Sequence, residues 1–269
     1  MITPTFHLIG LPTDCNSSFA RGPAAAPPAI RAALWSDRGN LAAEDGQEVG
    51  HDFLLEDRGD LPLVESAEDD ATIRNAVAES LSTGAIPILL GGDHAVSFPI
   101  VAAIAARHGP VNILHIDAHP DLYDDFAGNP RSHASPFARI LEAGLCRRLV
   151  QVGIRTLNRH CREQAARFGV EIVPMADFTP GKVPVLDGPL YLSLDLDGFD
   201  PSEAPGVSHP EPGGLRVREV LAVLHAQTAQ IVGADVVELN PRFDQHERTA
   251  ILAAKLVREV AATAARNLR

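Results

Sequence analysis

Six side chains of the metal-binding kind fall into three short segments of this sequence: His94; Asp117, His119 and Asp121; Asp195 and Asp197. In extended backbone, residues two apart point to the same side. Asp195 and Asp197 therefore share a face, as do Asp117 and His119, and Asp121 continues the spacing across Pro120. Gathered together, the four carboxylates would repel one another and take up protons unless a cation were present. Two divalent ions carry four positive charges and neutralise that set. Oxygen-dominated ligation with a little imidazole favours manganese, and leaves nickel, cobalt, iron and zinc open. Taken singly, such residues have plainer roles. Asp93 fits a helix cap or a turn. His115 lies inside an apolar run and reads as structural or as a support for the ligands.

The elements that must position these residues are short apolar runs alternating with amphipathic stretches. Strands are expected at Phe6–Ile9, Ile86–Leu90, Val111–Ile116, Leu149–Val152, Leu190–Leu194 and Ile231–Val237. Helices are expected at Ala29–Trp35, Asp70–Leu81, Ala95–Arg107, Ser135–Ala143, Arg162–Phe168, Val217–Gln227 and Thr249–Arg266. Strands separated by helices imply βαβ units, hence an α/β fold with a mostly parallel sheet covered on both faces. Ligands of such sheets bind beyond the carboxyl ends of the strands. The polar segments Gly91–His94, Asp117–Asp121 and Asp195–Asp197 lie there, and so does Glu238.

The chain has 269 residues, 45% hydrophobic and 22% charged, with a net charge of −12. It shows no repeat and no linker, so one domain over 1–269 is expected. The acids are scattered, and no basic stripe with interleaved aromatics marks a nucleic-acid partner. No apolar stretch is long enough to cross a bilayer. Cys15, Cys146 and Cys161 form no paired spacing, which argues against a disulfide framework or a thiolate zinc site. With no signal-peptide pattern at the start, a cytoplasmic location is expected.

Three segments in order resemble the signatures of the ureohydrolase family of arginases, agmatinases and related guanidino-acid hydrolases. They are Gly91-Gly92-Asp93-His94, Asp117-Ala118-His119-Pro120-Asp121 and Ser193-Leu194-Asp195-Leu196-Asp197-Gly198-Phe199-Asp200-Pro201. The resemblance runs from Asn16-Ser17-Ser18-Phe19 to the last helix. Ser132–Arg139, Ala204–His209 and Gly233–Glu238 bring it nearest to the plant-type arginase and agmatinase branch. It implies a three-layer αβα sandwich, two manganese ions, a small cationic guanidino substrate and a homo-oligomer, trimer or hexamer. His94 and Asp121 would hold one ion and His119 the other, with Asp117, Asp195 and Asp197 completing and bridging the pair.

On this resemblance Glu238 would grip the guanidinium by a charge-assisted pair. Asp121 would pass on the proton of the attacking water, and His133 would protonate the departing amine or shuttle protons to solvent. The substrate's far end is read by loops. Tyr123 and Asn158 stand where animal-type arginases place Asn and Asp, which argues against that mode of amino-acid recognition. Ser132, Ser208 and His209 are further candidates for specificity. The rival reading is a deacetylase-like amide hydrolase with one zinc, which needs only about three protein ligands. A relative with a structural metal and no activity is a third.

Overall fold

The computed structural model describes residues 3–268. Positions 1, 2 and 269 of the expected domain span lie outside the described residues. In chain order the elements are β1 (Thr5–Gly10), α1 (Ala26–Leu34), β2 (Leu54–Asp60), α2 (Asp69–Ser82), β3 (Ile86–Leu90), α3 (Ser97–His108), β4 (Val111–Ile116), α4 (Pro136–Glu142), β5 (Cys146–Val152), α5 (Arg159–Phe168), β6 (Glu171–Val173), β7 (Leu190–Asp195), α6 (Val217–Ala226), β8 (Ile231–Val237) and α7 (Arg248–Asn267).

The strands form one sheet in the order β2-β1-β3-β8-β7-β4-β5-β6, and every neighbouring pair is parallel. Alternation along each strand feeds two cores. From β7, Leu190, Leu192 and Leu194 join Ile30 of α1, Val220 of α6 and Leu256 of α7 on one face. Tyr191 points the other way, into a cluster with Val77 of α2, Ile100 of α3 and Phe137 of α4. Helices thus cover both faces, as a sheet of apolar runs requires, and the three layers are those expected from the sequence.

Three strands, β3, β4 and β8, have the bounds expected from their apolar runs. Two edge strands were not expected. In β2 only Leu55 is buried and most other residues are charged, so it carries no apolar run; charge on an edge strand blunts pairing with foreign chains. The other, β6, is three residues long. Helix α3 starts later than expected because His94–Val96 first makes a 3-10 turn, capped by the Asp93 side chain accepting from Ala95 N at 3.1 Å. Helix α5 starts earlier, since Asn158 Oδ1 accepts from Cys161 N.

Because all strands run one way, the ends of the adjacent β3, β8, β7 and β4 open on one edge. The turn after β3 is packed against the loop after β1. A Cβ on Gly92 would lie 1.7 Å from the Thr13 carbonyl oxygen, so only glycine lets His94 follow at this depth. Gly92→Ala is expected to destabilise the metal-free protein by roughly 2 kcal/mol or more, as overpacking against rigid backbone does. Denaturant unfolding measures this, and an unchanged midpoint contradicts the packing account.

Candidate metal centre

All six sequence-predicted ligands meet at this edge; His94, Asp117, Asp121, Asp195 and Asp197 are buried and His119 is half-buried. His94 Nδ1 lies 3.0 Å from Asp195 Oδ2, 3.1 Å from Asp121 Oδ2 and 3.3 Å from Asp117 Oδ2. Despite these neighbours it makes no hydrogen bond of acceptable geometry. The other ring nitrogen explains its state. Nε2 is 2.9 Å from Ser193 Oγ, and Ser193 donates to Asp235 Oδ1 at 2.7 Å. With its only proton given away, Ser193 accepts, so Nε2 carries hydrogen. In a neutral ring Nδ1 then presents a lone pair to three carboxylate oxygens. That arrangement is repulsive unless a positive charge lies between them, and it fits a divalent ion.

A second group forms beside it. His119 Nδ1 is 3.1 Å from Asp197 Oδ2 and 3.5 Å from Asp117 Oδ1. Asp117 thus turns one oxygen to each histidine and is shared. The outward oxygens are fixed by backbone: Asp195 Oδ1 accepts from Asp197 N at 2.8 Å, and Asp197 Oδ1 from Ala118 N at 3.2 Å. Asp117 Oδ1 also accepts from His119 N at 2.6 Å. His115, which could be grouped with His94 and Asp117 as a donor set, has its Nε2 2.8 Å from Asp117 Oδ2. It supports a ligand, as its place in an apolar strand implied.

Without ions the cluster holds protons instead. Burial, then the charges of Asp197 and Asp117, raise Asp195 well above the carboxylate range. Burial also pushes Asp197 up to about 7, against the pull of His119. Burial alone would lower the histidines, but the carboxylates raise His94 well above its ordinary value and His119 to about 12. Asp117 goes the other way: burial is outweighed by His115, His119 and His94, which hold it well below its usual value.

Next to the cluster, Glu238 follows β8 in left-handed backbone, φ 66°, and Asp121 likewise has φ 50°. Non-glycine residues adopt this region uncommonly, and a bulky one only against a conformational cost. For Glu238 the holding contacts are visible: its N–H donates to Gly92 O at 2.9 Å, while Oε1 accepts from His94 N at 2.9 Å and pairs with His133 Nδ1 at 2.8 Å. His133 Nε2 is 2.9 Å from Ser18 Oγ, which is 3.3 Å from His209 Nε2.

The specificity candidates divide. His209 stands at this mouth with its ring 4.9 Å from that of His133. Tyr123 and Asn158 are hydrogen-bonded to each other, and Asn158 Oδ1 is spent on capping α5. Ser208 and Ser132 are buried and engaged elsewhere. Ser208 donates to Ala20 O and accepts from Asn240, and Ser132 Oγ accepts from Ala134 N within its own turn. Sequence reading missed Asp235, which holds Ser193, Ser97 and Tyr191 by their hydroxyls, and the bridging role of Ser18. An acid in the middle of an apolar strand was the available signal for Asp235.

The model of the Arginase family matches residues 4–263. "Arginase 1, mitochondrial" of Arabidopsis thaliana is 49% identical over 95% of this chain and 80% of its own length. "Agmatinase, mitochondrial" of Gallus gallus is 34% identical over 94% and 78%. The solved arginase from Medicago truncatula superposes with a TM-score of 0.93 at 43% identity, covering 97% of this chain and 88% of that one. The mitochondrial names of these relatives overturn the expected cytoplasmic location. Among the described residues no helix is long and apolar enough to cross a membrane.

The His133–Glu238 pair has a pH signature. Burial lowers His133, but Glu238 raises it from 6.5 to about 9. A raised pKa adds stability that is complete below the unfolded value and lost as pH rises through the folded one. In the metal-free protein, the stability difference between wild type and Glu238→Gln should shrink from pH 6.5 to 9. A difference constant across that window in denaturant unfolding contradicts the pairing.

Proposed function

The chain belongs to the arginase family, and we propose that it is a binuclear manganese enzyme that hydrolyses a guanidino compound to urea and an amine. The observation that carries this reading is the unpartnered Nδ1 of His94 facing three carboxylates. The sharing of Asp117 between two donor groups favours two ions over the single zinc of a deacetylase-like enzyme. We assign His94, Asp117, Asp121 and Asp195 to one ion, and His119, Asp117 and Asp197 to the other.

When bound, such ions supply Lewis-acid chemistry and lower the pKa of water toward neutrality. The residues do the rest. Glu238 Oε1 is occupied by His94 N and His133, so Oε2 is the oxygen offered to the guanidinium N–H groups. That contact fixes the planar carbon over the attacking water. Asp121 accepts the proton leaving that water on the oxygen turned away from His94. His133, charged near neutral pH through Glu238, gives its proton to the departing nitrogen as the C–N bond breaks, and regains one along Ser18 and His209. One domain over 1–269 carries the whole site.

Arginine is the first substrate to test, since the more similar relatives are named arginase and the less similar ones agmatinase and guanidino acid hydrolase. Tyr123, Asn158 and His209 would meet its far end. Urea release should appear with manganese on arginine in a screen that includes agmatine, guanidinobutyrate and nickel-loaded protein. Asp121→Ala should lower it by on the order of 10³-fold and reduce the metal content. Full activity in Asp121→Ala contradicts the mechanism, and no urea from any guanidine contradicts the proposed activity.

A further inference from the structure

Gln151, on β5, is wholly buried and stands in register opposite His115 on β4. Its Nε2 lies 2.6 Å from the carbonyl oxygen of Pro120 and 3.0 Å from His115 Nδ1. A flipped amide would set two acceptor oxygens against each other at Pro120, so the NH2 group must face this way. Its two hydrogens are then both spent, one on each partner. His115 Nδ1 is therefore an acceptor, its hydrogen is on Nε2, and it donates to Asp117 Oδ2 at 2.8 Å. The ring cannot swing away, because it lies against Phe137 with centroids 4.0 Å apart. The Pro120 carbonyl belongs to the peptide that enters Asp121, the residue held at φ 50°.

We propose that Gln151 is a positioning residue of the centre, orienting Asp117 through His115 and Asp121 through the Pro120 carbonyl. It touches neither substrate nor ligand. Its amide oxygen is buried without a partner, an arrangement that costs stability and is retained for what the two hydrogens do. The consequence is a shared carboxylate and a strained one held ready before any ion arrives, as ligand-orienting hydrogen bonds do in metal sites.

The inference rests on the reading of the site as a metal centre, and the test separates the two. In metal-free wild type, ¹⁵N chemical shifts should show His115 as the Nε2–H tautomer; the Nδ1–H tautomer overturns the proposal without any variant. Manganese affinity, followed by the electron paramagnetic resonance of free Mn²⁺, should fall about 10–100-fold in Gln151→Leu. His115→Phe keeps the packing on Phe137 and should weaken manganese binding comparably should Gln151→Leu fail to fold. Wild-type affinity in either folded variant overturns the proposal. A wild type that takes up no manganese overturns the metal reading and the proposal with it.

Discussion

Four aspartates whose charges cannot coexist are packed into one water-poor space at the sheet's edge. Removing an ion from water costs several kcal/mol even after relaxation, and mutual repulsion adds to it. The protein must bring positive charge to this set or leave part of it protonated. Proton uptake by Asp195, Asp197, His94 and His119 is the metal-free solution. Divalent ions are the alternative, and they must displace those protons to bind. An all-parallel sheet is what makes the crowding achievable. The ligands come from β3, β4 and β7, which lie with β8 side by side, so residues more than a hundred positions apart arrive at one edge pointing the same way.

The same edge links the proposed metal group and the proposed substrate group through one oxygen. Glu238 Oε1 meets both the His94 backbone N–H and the His133 ring. A shift of the metal half therefore moves the group proposed to grip the guanidinium and the acid proposed to protonate its leaving nitrogen. Left-handed backbone at Glu238 belongs to this coupling, since that residue is held by Gly92 and His94 just past β3. Behind the ligands, hydrogen bonds run from Asp235 through Ser193 to His94, and from Gln151 through His115 to Asp117. Each assigns a proton to the outer face of the site and leaves lone pairs on the inner one.

Much of this was legible in the sequence, for a physical reason. Ligands of a parallel sheet sit just past apolar runs, so a period of two in Asp and His after such runs marks both the residue and its direction. That singled out Asp117, His119, Asp121, Asp195 and Asp197 as candidates, while His94 and Glu238 were marked only by standing just past a strand. Edge strands escaped because β2 buries one side chain and β6 is too short for a pattern. Gln151, Ser18 and Asp235 escaped because their meaning lies in partners 31 to 191 positions away. Ser132 and Ser208 looked available from their loops, yet burial directs their hydroxyls to backbone or to Asn240. Location within the cell is not written in the side chains considered, and relatives corrected it.

The charge account is tested most directly by anomalous diffraction from a crystal soaked in manganese. It predicts two peaks. One should lie within ligand distance of His94 Nδ1, Asp117, Asp121 and Asp195, the other within ligand distance of His119 Nδ1, Asp117 and Asp197. Peaks elsewhere, or carboxylates surrounding only water in the presence of the ion, would contradict it.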